Sequence, residues 1–320
     1  MKRMGIVTSG GDAPGMNAAI RAAVRLAAWN DVKVIGFERG WEGVIRNNFR
    51  VLDSRAVSGI LHLGGTILRT SRCLEFKTKE GLEKAARSLA EDDLDGLIVI
   101  GGDGSIRGAY ELSKLTDTRI IALPASIDND VYGTDETIGF DTAVNTALTE
   151  INKIRDTAVS HERTFIVEVM GRRRGFLAVE VGLTAGAEII LVPEVEYNEE
   201  KVLKTLRRNA AKGKRSSIIV IAEGVGKTRS LAKAIEEKVG VEVRVSVLGY
   251  VQRGGSPTAR SRYLASIFAD KAVSLLLEGK DDAVVGIQKG EVTSISLEEA
   301  CRNQKQLNLE VLRLAEKLAI

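Results

Sequence analysis

Two short apolar segments of this sequence are each followed by a glycine-rich turn and then by a helical pattern of apolar residues. The first covers residues 4–8 and leads into residues 9–15, SGGDAPG, and the second covers residues 96–100 and leads into residues 101–105, GGDGS. A strand, a glycine turn and a helix in this order direct free backbone N–H groups at an anion. The pattern predicts an α/β fold with phosphate sites at strand ends, although each turn alone also fits a structural connection.

Apolar segments and helical patterns alternate along the rest of the chain, and such alternation predicts parallel sheets with helices on both faces. We predict further strands at residues 32–37, 120–123, 164–169, 188–192, 217–222, 243–248 and 283–287. We predict helices at residues 106–115, 176–184, 199–211, 231–239, 260–278, 297–301 and 307–318, and one that Asp141 caps. A chain of 320 residues is long for a single core, so we expect two lobes.

The loop of residues 124–130, PASIDND, carries two carboxylates, Asp128 and Asp130. It follows a buried strand that Pro124 ends, and ligands of open α/β sheets bind at the carboxyl ends of strands. Close carboxylates repel, so a loop that holds both usually holds a cation or deprotonates a hydroxyl. An Asx turn is the alternative interpretation. Asp103, inside the second glycine turn, suits the Mg²⁺ of a polyphosphate.

Composition excludes several classes of partner. A net charge of +3 is too small to indicate nucleic acid, and no apolar run reaches the length of a membrane span. The two cysteines, Cys73 and Cys301, lack metal-ligand spacing and fit a reduced, cytoplasmic protein, and the N-terminus lacks the apolar region of a signal peptide. Residues 224–228, GVGKT, are not a P-loop, because Ile221 stands where that motif needs glycine. Arg69 and Arg72 suit phosphate oxygens or belong to a solvated loop.

Five motifs together resemble those of ATP-dependent bacterial 6-phosphofructokinases, in the family's order and spacing and over essentially the whole chain. They are residues 8–17 (TSGGDAPGMN), 101–105 (GGDGS), 126–130 (SIDND), 169–172 (VMGR) and 252–257 (QRGGSP). The resemblance implies two Rossmann-like lobes with mainly parallel sheets, the phosphofructokinase fold. Residues 1–139 with 252–300 would bind ATP, and residues 140–251 with 301–320 would bind the sugar phosphate.

The resemblance also implies the reaction, a glycolytic transfer from ATP to the 1-hydroxyl of fructose 6-phosphate that gives fructose 1,6-bisphosphate and ADP. Asp128 would be the general base and Asp103 would bind Mg²⁺, with Asp130 as a second carboxylate. The implied catalytic residues are Gly11, Arg72, Ser126, Asp128 and Arg172. Those implied for ATP are Gly11, Arg72, Cys73, Gly102, Asp103, Gly104 and Ser105. Those implied for the sugar phosphate are Ser126, Ile127, Asp128, Arg163, Met170, Gly171, Arg172, Glu223, Arg244, Tyr250, Val251, Gln252 and Arg253.

The same resemblance implies a homotetramer in which Arg163 and Arg244 reach the sugar phosphate of a neighbouring subunit. An effector site between subunits would bind ADP or phosphoenolpyruvate. Its implied residues are Arg21, Arg25, Arg155, Gly186, Glu188, Lys212, Lys214 and Arg215. One arginine usual in that site is Ser54 here.

The phosphoryl donor is indicated by Gly104 and Ala125, because pyrophosphate-using relatives carry an acid and a lysine at these positions. Tyr250 replaces a histidine usual in the family, Ser126 replaces a threonine, and Cys73 replaces an aromatic residue beside the adenine. These departures keep open a related sugar-phosphate kinase or a pyrophosphate-dependent enzyme. A third hypothesis, a non-catalytic sensor paralogue, predicts the loss of an acid, yet Asp103 and Asp128 are both present.

Overall fold

The computed structural model describes residues 1–319 and divides the chain into two compact units. The first unit combines Met1–Thr142 with Arg253–Lys305, and the second combines Ala143–Gln252 with the chain from Gln306 onward. The predicted lobes have slightly different bounds, 1–139 with 252–300 and 140–251 with 301–320. The binding roles given to these lobes stay a prediction.

Strands and helices are numbered along the chain. The strands are β1 (Arg3–Ser9), β2 (Lys33–Phe37), β3 (Phe49–Leu52), β4 (Gly96–Gly101), β5 (Arg119–Pro124), β6 (Thr164–Val169), β7 (Ile189–Leu191), β8 (Ser217–Ala222), β9 (Val243–Val247), β10 (Ala283–Gln288) and β11 (Glu291–Ser296). The helices are α1 (Met16–Trp29), α2 (Trp41–Ile45), α3 (Lys79–Glu91), α4 (Asp103–Ser113), α5 (Phe140–Ser160), α6 (Phe176–Thr184), α7 (Glu199–Ala211), α8 (Thr228–Val239), α9 (Ala259–Leu277), α10 (Leu297–Arg302) and α11 (Leu309–Leu318).

The first unit is built on a seven-stranded sheet in the order β11-β10-β5-β4-β1-β2-β3. Its central strands are parallel, and every residue of β4 is buried, as expected of a strand with helices on both faces. The outer pairs β2–β3 and β10–β11 are antiparallel. The predicted α/β architecture with mainly parallel sheets is therefore confirmed, with antiparallel pairs at both edges.

The second unit has a four-stranded sheet in the order β7-β8-β6-β9, in which every strand pair is parallel. Strand β8 is buried along its whole length because its sequence, SIIVIA, is almost entirely apolar. Leu203 and Leu206 of α7 and Leu231 and Ile235 of α8 belong to the core cluster that this sheet shares. The described helices include none with both the length and the apolar content needed to span a bilayer.

Three predicted helix starts are wrong, and one of them is that of α8, which begins at Thr228 rather than at residue 231. The helix predicted at residues 106–115 begins at Asp103, because Gly102 occupies the N-cap position and an acidic first turn favours a helix N-terminus. Asp141 is not an N-cap, since α5 already begins at Phe140. The Asp141 carboxylate instead accepts a hydrogen bond from the Thr258 hydroxyl at 2.5 Å, which joins α5 to the start of α9.

Candidate functional site

Three of the predicted site segments begin side by side at one edge of the first sheet. Ser9 of β1 is in register with Gly101 of β4, and Gly101 is in register with Pro124 of β5. The chain leaves β1 for β2 on one side, while β4 lies on the other side of β1. Such a switch in strand order is where open α/β sheets bind ligands.

The second glycine turn packs tightly against its neighbours at two of its glycines. A Cβ atom on Gly101 would lie 2.5 Å from the Ser9 carbonyl oxygen and 2.6 Å from Ser105 Oγ. A Cβ on Gly102 would lie 3.3 Å from Ser126 Cβ. A side chain on Gly101 would therefore clash with β1 and with Ser105, and one on Gly102 would press against the loop that carries Asp128.

Gly104 differs from these two glycines. Apart from its chain neighbours and the backbone of its own helix, no atom lies within 4 Å of a Cβ built there, and its backbone is helical rather than left-handed. Neither packing nor backbone strain requires glycine at this position. The missing side chain leaves open space beside the first turn of α4, where backbone N–H groups attract anions.

Asp103 lies in that first turn and pairs with Arg107 one turn later. Arg107 Nε donates to Asp103 Oδ2 at 2.8 Å, and Arg107 Nη1 donates to the Cys301 carbonyl at 2.8 Å. Within residues 1–319 no three metal-ligating side chains are grouped as a ready-made metal cage. Magnesium commonly uses one or two carboxylates together with substrate phosphates and water, so an accessible Asp103 beside open space fits this ion.

Arg253 is packed against the first glycine turn. Its guanidinium would lie 2.9 Å from a Cβ on Gly11, and its Nη1 lies 3.7 Å from Asp12 Oδ1. The exposed Arg72 reaches the same turn through its loop, because the Thr70 hydroxyl donates to the Gly10 carbonyl at 2.8 Å. Two guanidinium groups therefore belong to segments that contact residues 10–12.

The predicted catalytic loop is largely buried and is held by hydrogen bonds between side chains and backbone within residues 126–137. Asp128 is 4% exposed, and its N–H donates to Ser126 Oγ at 3.1 Å. The Ser126 carbonyl accepts from the Thr137 hydroxyl at 2.6 Å, and Ile127 is buried. Asn129, directly after Asp128, adopts a left-handed backbone with φ of 52°. The proposed base thus lies between two fixed residues.

Two aromatic side chains near the predicted adenine position are packed in the core and are not arranged around a pocket. Trp41 and Phe76 are buried and stack with ring centroids 4.2 Å apart. They contact α4 at Gly108, where an added Cβ would lie 2.9 Å from Phe76. Cys73 is half-buried and packs on the same cluster. Trp41 is therefore a core residue at this position.

In the second unit, the residues predicted for the sugar phosphate follow three neighbouring strands. Arg172 N donates to Glu223 Oε1 at 2.7 Å, which joins the loop after β6 to the end of β8. Met170 N donates to the buried Gln252 side chain at 3.4 Å, which joins the same loop to the segment after β9. Tyr250 is 78% exposed beside Gln252. Gly171 lies in the loop after β6, and Val251 lies in the short 3₁₀ helix Gly249–Arg253 that follows β9.

Arg163 and Arg244 lie toward the opposite end of this sheet. Arg163 precedes the first residue of β6, and Arg244 is in register with Phe165. Arg163 Nε donates to Glu242 at 2.6 Å and lowers the pKa of that carboxyl, and Arg244 also pairs with Glu242. Six residues of strand separate Arg163 from Val169, a span of about 20 Å. Arg163 and Arg244 are therefore separated from Met170 and Arg172 of the same chain by most of the length of the strands.

The predicted effector residues are divided between the units, with Arg21 and Arg25 on α1 and the others in the second unit. The buried Glu188 accepts from Lys214 at 2.6 Å, and Arg155 donates to the Ala185 and Gly186 carbonyls at 2.5 and 3.3 Å. Arg215 pairs with Glu162 at 3.0 Å. Glu188 and Lys212 also line a groove of about 580 Å³ between β7, α7 and α11.

Sequence reasoning missed two cationic residues that contact the predicted site segments. Arg107 pairs with Asp103, and the i,i+4 spacing on a helix was a usable signal. Lys305 contacts Asn129 from 176 residues away, and no local pattern indicates such a contact.

Comparisons with known proteins agree with these motifs. The Phosphofructokinase family profile matches residues 3–276. The chain is 50% identical over 319 residues to the ATP-dependent 6-phosphofructokinase of Clostridium botulinum (strain Loch Maree / Type A3), and 48% identical over 332 residues to that of Halothermothrix orenii. Each alignment covers 100% of both chains. The solved phosphofructokinase of Saccharomyces cerevisiae superposes with a TM-score of 0.87 and 32% identity, over 100% of this chain and 48% of the yeast chain.

Proposed function

The chain belongs to the phosphofructokinase family, and we propose that it transfers the γ-phosphoryl group of ATP to the 1-hydroxyl of fructose 6-phosphate. The products are fructose 1,6-bisphosphate and ADP, as in glycolysis. Full-length curated relatives at about half identity are named for this activity. The reaction is a phosphotransfer to an alcohol.

The observation that supports ATP as the donor is the open space at Gly104. Neither packing nor backbone conformation demands glycine there, and the space that the missing side chain leaves is open to a ligand. A nucleoside triphosphate extends beyond its transferred phosphates and needs that volume, whereas pyrophosphate does not. Ala125 agrees with this donor, because its buried position lacks the lysine of pyrophosphate-using relatives.

The chemistry that we propose begins at Asp128. Its carboxylate takes the proton of the sugar 1-hydroxyl as that oxygen bonds to the γ-phosphorus and ADP leaves. Ser126 donates a hydrogen bond to a phosphate oxygen, and the Gly11 amide with Arg72 and Arg172 offsets negative charge on the transferred group. Phosphoryl transfer depends on such positioning and charge stabilisation rather than on covalent catalysis.

Magnesium in this site would be held by Asp103, with Asp130 as the second carboxylate. When bound, it neutralises charge on the phosphates of ATP. Gly102, Gly104 and Ser105 provide the backbone and hydroxyl groups around those phosphates. Cys73 lies toward the base of the nucleotide in this assignment.

The sugar phosphate is assigned to the loops that follow β6, β8 and β9, together with Ile127 and Arg253. The 6-phosphate is dianionic, and bidentate guanidinium groups bind such anions strongly. Because Arg163 lies about 20 Å and Arg244 about 13 Å of strand away from Val169 at the end of β6, we propose that they serve the site of a neighbouring subunit. The assembly is then a homotetramer with sites completed across subunits.

Regulation and location follow the family as proposals. We assign the effector, ADP or phosphoenolpyruvate, to Arg21, Arg25, Arg155 and Gly186, together with Glu188, Lys212, Lys214 and Arg215. Ser54 removes one guanidinium from that site, so we expect weaker effector binding than in relatives with arginine. A cytoplasmic location stays a prediction.

A donor panel tests the proposed function. The purified chain is assayed with fructose 6-phosphate and Mg²⁺ against ATP, ADP and pyrophosphate, and with ATP against other sugar phosphates. We expect turnover with ATP and fructose 6-phosphate, and its loss in Asp128→Asn. Preference for pyrophosphate or for another sugar phosphate would establish the alternative kinases, and binding without turnover would establish a sensor.

A further inference from the structure

Lys305, the last residue of the first unit along the chain, contacts the proposed catalytic loop. It follows α10, and its Nζ donates to Asn129 Oδ1 at 2.9 Å and to the Asp135 carbonyl at 2.8 Å. The ammonium group therefore joins two points of the segment that continues from Asp128. Lysine heads normally stay in water, so a half-buried one with two fixed acceptors is an unusual feature.

Asn129 connects this contact to the loop. Its Oδ1 also accepts from Thr137 N at 3.1 Å, and its Nδ2 donates to the Asp135 carbonyl at 3.2 Å. Asp135 is anchored in turn, because its N–H donates to the Ile287 carbonyl of β10 at 2.7 Å. Lys305 thus completes a hydrogen-bonded hub of Asn129, Asp135 and Thr137.

The hub bears on Asp128 through the backbone. Asn129 holds a left-handed conformation, φ 52°, which asparagine adopts more readily than other non-glycine residues when its side chain is hydrogen-bonded locally. A change at this residue would rotate the peptide that links it to Asp128, whose carboxylate would move with it. Catalysis is sensitive to such movements, since a displacement of about 1 Å costs on the order of 100-fold in rate.

We infer that Lys305 is a positioning residue for the phosphotransfer, holding Asn129 in the conformation that orients the Asp128 carboxylate. The inference deepens the proposed function, and it rests on Asp128 being the base. Lys305 touches neither the sugar nor ATP in this assignment. Burial lowers the pKa of its ammonium group to about 8, which still lies above neutral pH, so the charged form is the major one there.

Three variants test the inference: Lys305→Met, Lys305→Arg, and Lys280→Met as a matched control. Lys280 is exposed, pairs with Glu278 at 2.9 Å, and belongs to the loop after α9. For each variant kcat, both KM values and the unfolding temperature are measured. Hydrogen exchange of peptides across residues 126–138 is measured on the full chain.

We expect Lys305→Met to lower kcat by about 10- to 100-fold with both KM values within about twofold of wild type. Exchange should quicken in residues 126–138 alone, Lys305→Arg should recover most of kcat, and Lys280→Met should match wild type. Wild-type kcat in Lys305→Met overturns the inference, and so does faster exchange throughout the chain, which indicates a general structural role.

Failure of the proposed function gives a different result. A wild-type chain that lacks turnover with every donor removes Asp128 as the base and overturns the inference about catalysis with it. If wild type is active but Lys305→Met exchanges and turns over normally, only the inference about Lys305 fails.

Discussion

An aspartate at position 104 should occupy the open space beside α4 and hinder the binding of ATP. The substitution Gly104→Asp places its Cβ where no atom outside its chain neighbours and its own helix backbone lies within 4 Å, on a helical backbone that any residue adopts. Its carboxylate joins the first turn of α4, where an acid stabilises a helix by about 0.3–1 kcal/mol. The fold should therefore tolerate the change, and the unfolding temperature should stay near that of wild type.

The Gly104→Asp substitution should instead weaken the binding of the nucleotide. A carboxylate about 5 Å from a phosphate, at an effective dielectric constant of about 20–40, repels one negative charge by about 2–3 kcal/mol. That energy corresponds to a Kd for Mg-ATP that is about 30- to 150-fold weaker. Repulsion between the new carboxylate and Asp103 adds to this loss, because the two residues are adjacent in the chain.

Calorimetric titration with Mg²⁺ and a non-hydrolysable ATP analogue measures the change directly. Gly104→Ala is the matched control, since it adds volume without charge and should weaken binding less than the aspartate does. The KM for fructose 6-phosphate should change little in either variant. An aspartate variant that is fully folded and binds the analogue as tightly as wild type would show that the nucleotide does not use this space.

Three further predictions concern the base, the subunit contacts and the core. Asp128→Asn keeps the shape of the side chain and should lower kcat by about 10²–10⁴-fold with substrate Kd values near wild type, and unchanged kcat would exclude Asp128 as the base. Arg163→Ala should raise the KM for fructose 6-phosphate. When Arg163→Ala and Asp128→Asn subunits are mixed in one oligomer, some sites combine an intact Asp128 with an intact Arg163 and should regain activity. Mixtures that stay inactive contradict a shared site. Phe268→Ala removes a fully buried ring of α9 and should lower the free energy of unfolding by about 3–5 kcal/mol in denaturant titration, whereas a loss under about 1 kcal/mol contradicts that core.

Local sequence patterns were sufficient for the buried parallel strands of this fold, but they did not predict helices α2 and α3. The strands predicted at residues 164–169 and 217–222 have the bounds found in the structure, because continuous apolar runs mark strands covered on both faces. Strands β3 and β11 were missed, since FRVL and EVTSIS are short or polar and partly exposed edge strands. Helix α4 begins earlier than predicted because Asp103 was interpreted as part of a turn.

The placement of the predicted site segments could be foreseen where it depends on strand ends and could not where it depends on distant contacts. Register at Ser9 and Gly101 follows from neighbouring parallel strands, so the glycine turns could be placed together. The contact of Lys305 with Asn129 depends on where α10 packs, and hydrophobic periodicity carries no information about it. The packing of Trp41 on Phe76 likewise depends on tertiary structure.

The central claim is that Asp128 deprotonates a sugar hydroxyl whose attack on ATP is supported by the glycine turns at the ends of β1 and β4. A crystal structure of the chain with fructose 6-phosphate, Mg²⁺ and a non-hydrolysable ATP analogue tests it most directly. We predict the Asp128 carboxylate within about 3 Å of the sugar 1-hydroxyl, and the analogue's phosphates against residues 102–105. A complex with the 1-hydroxyl turned away from Asp128, or with the phosphates bound elsewhere, would contradict this account.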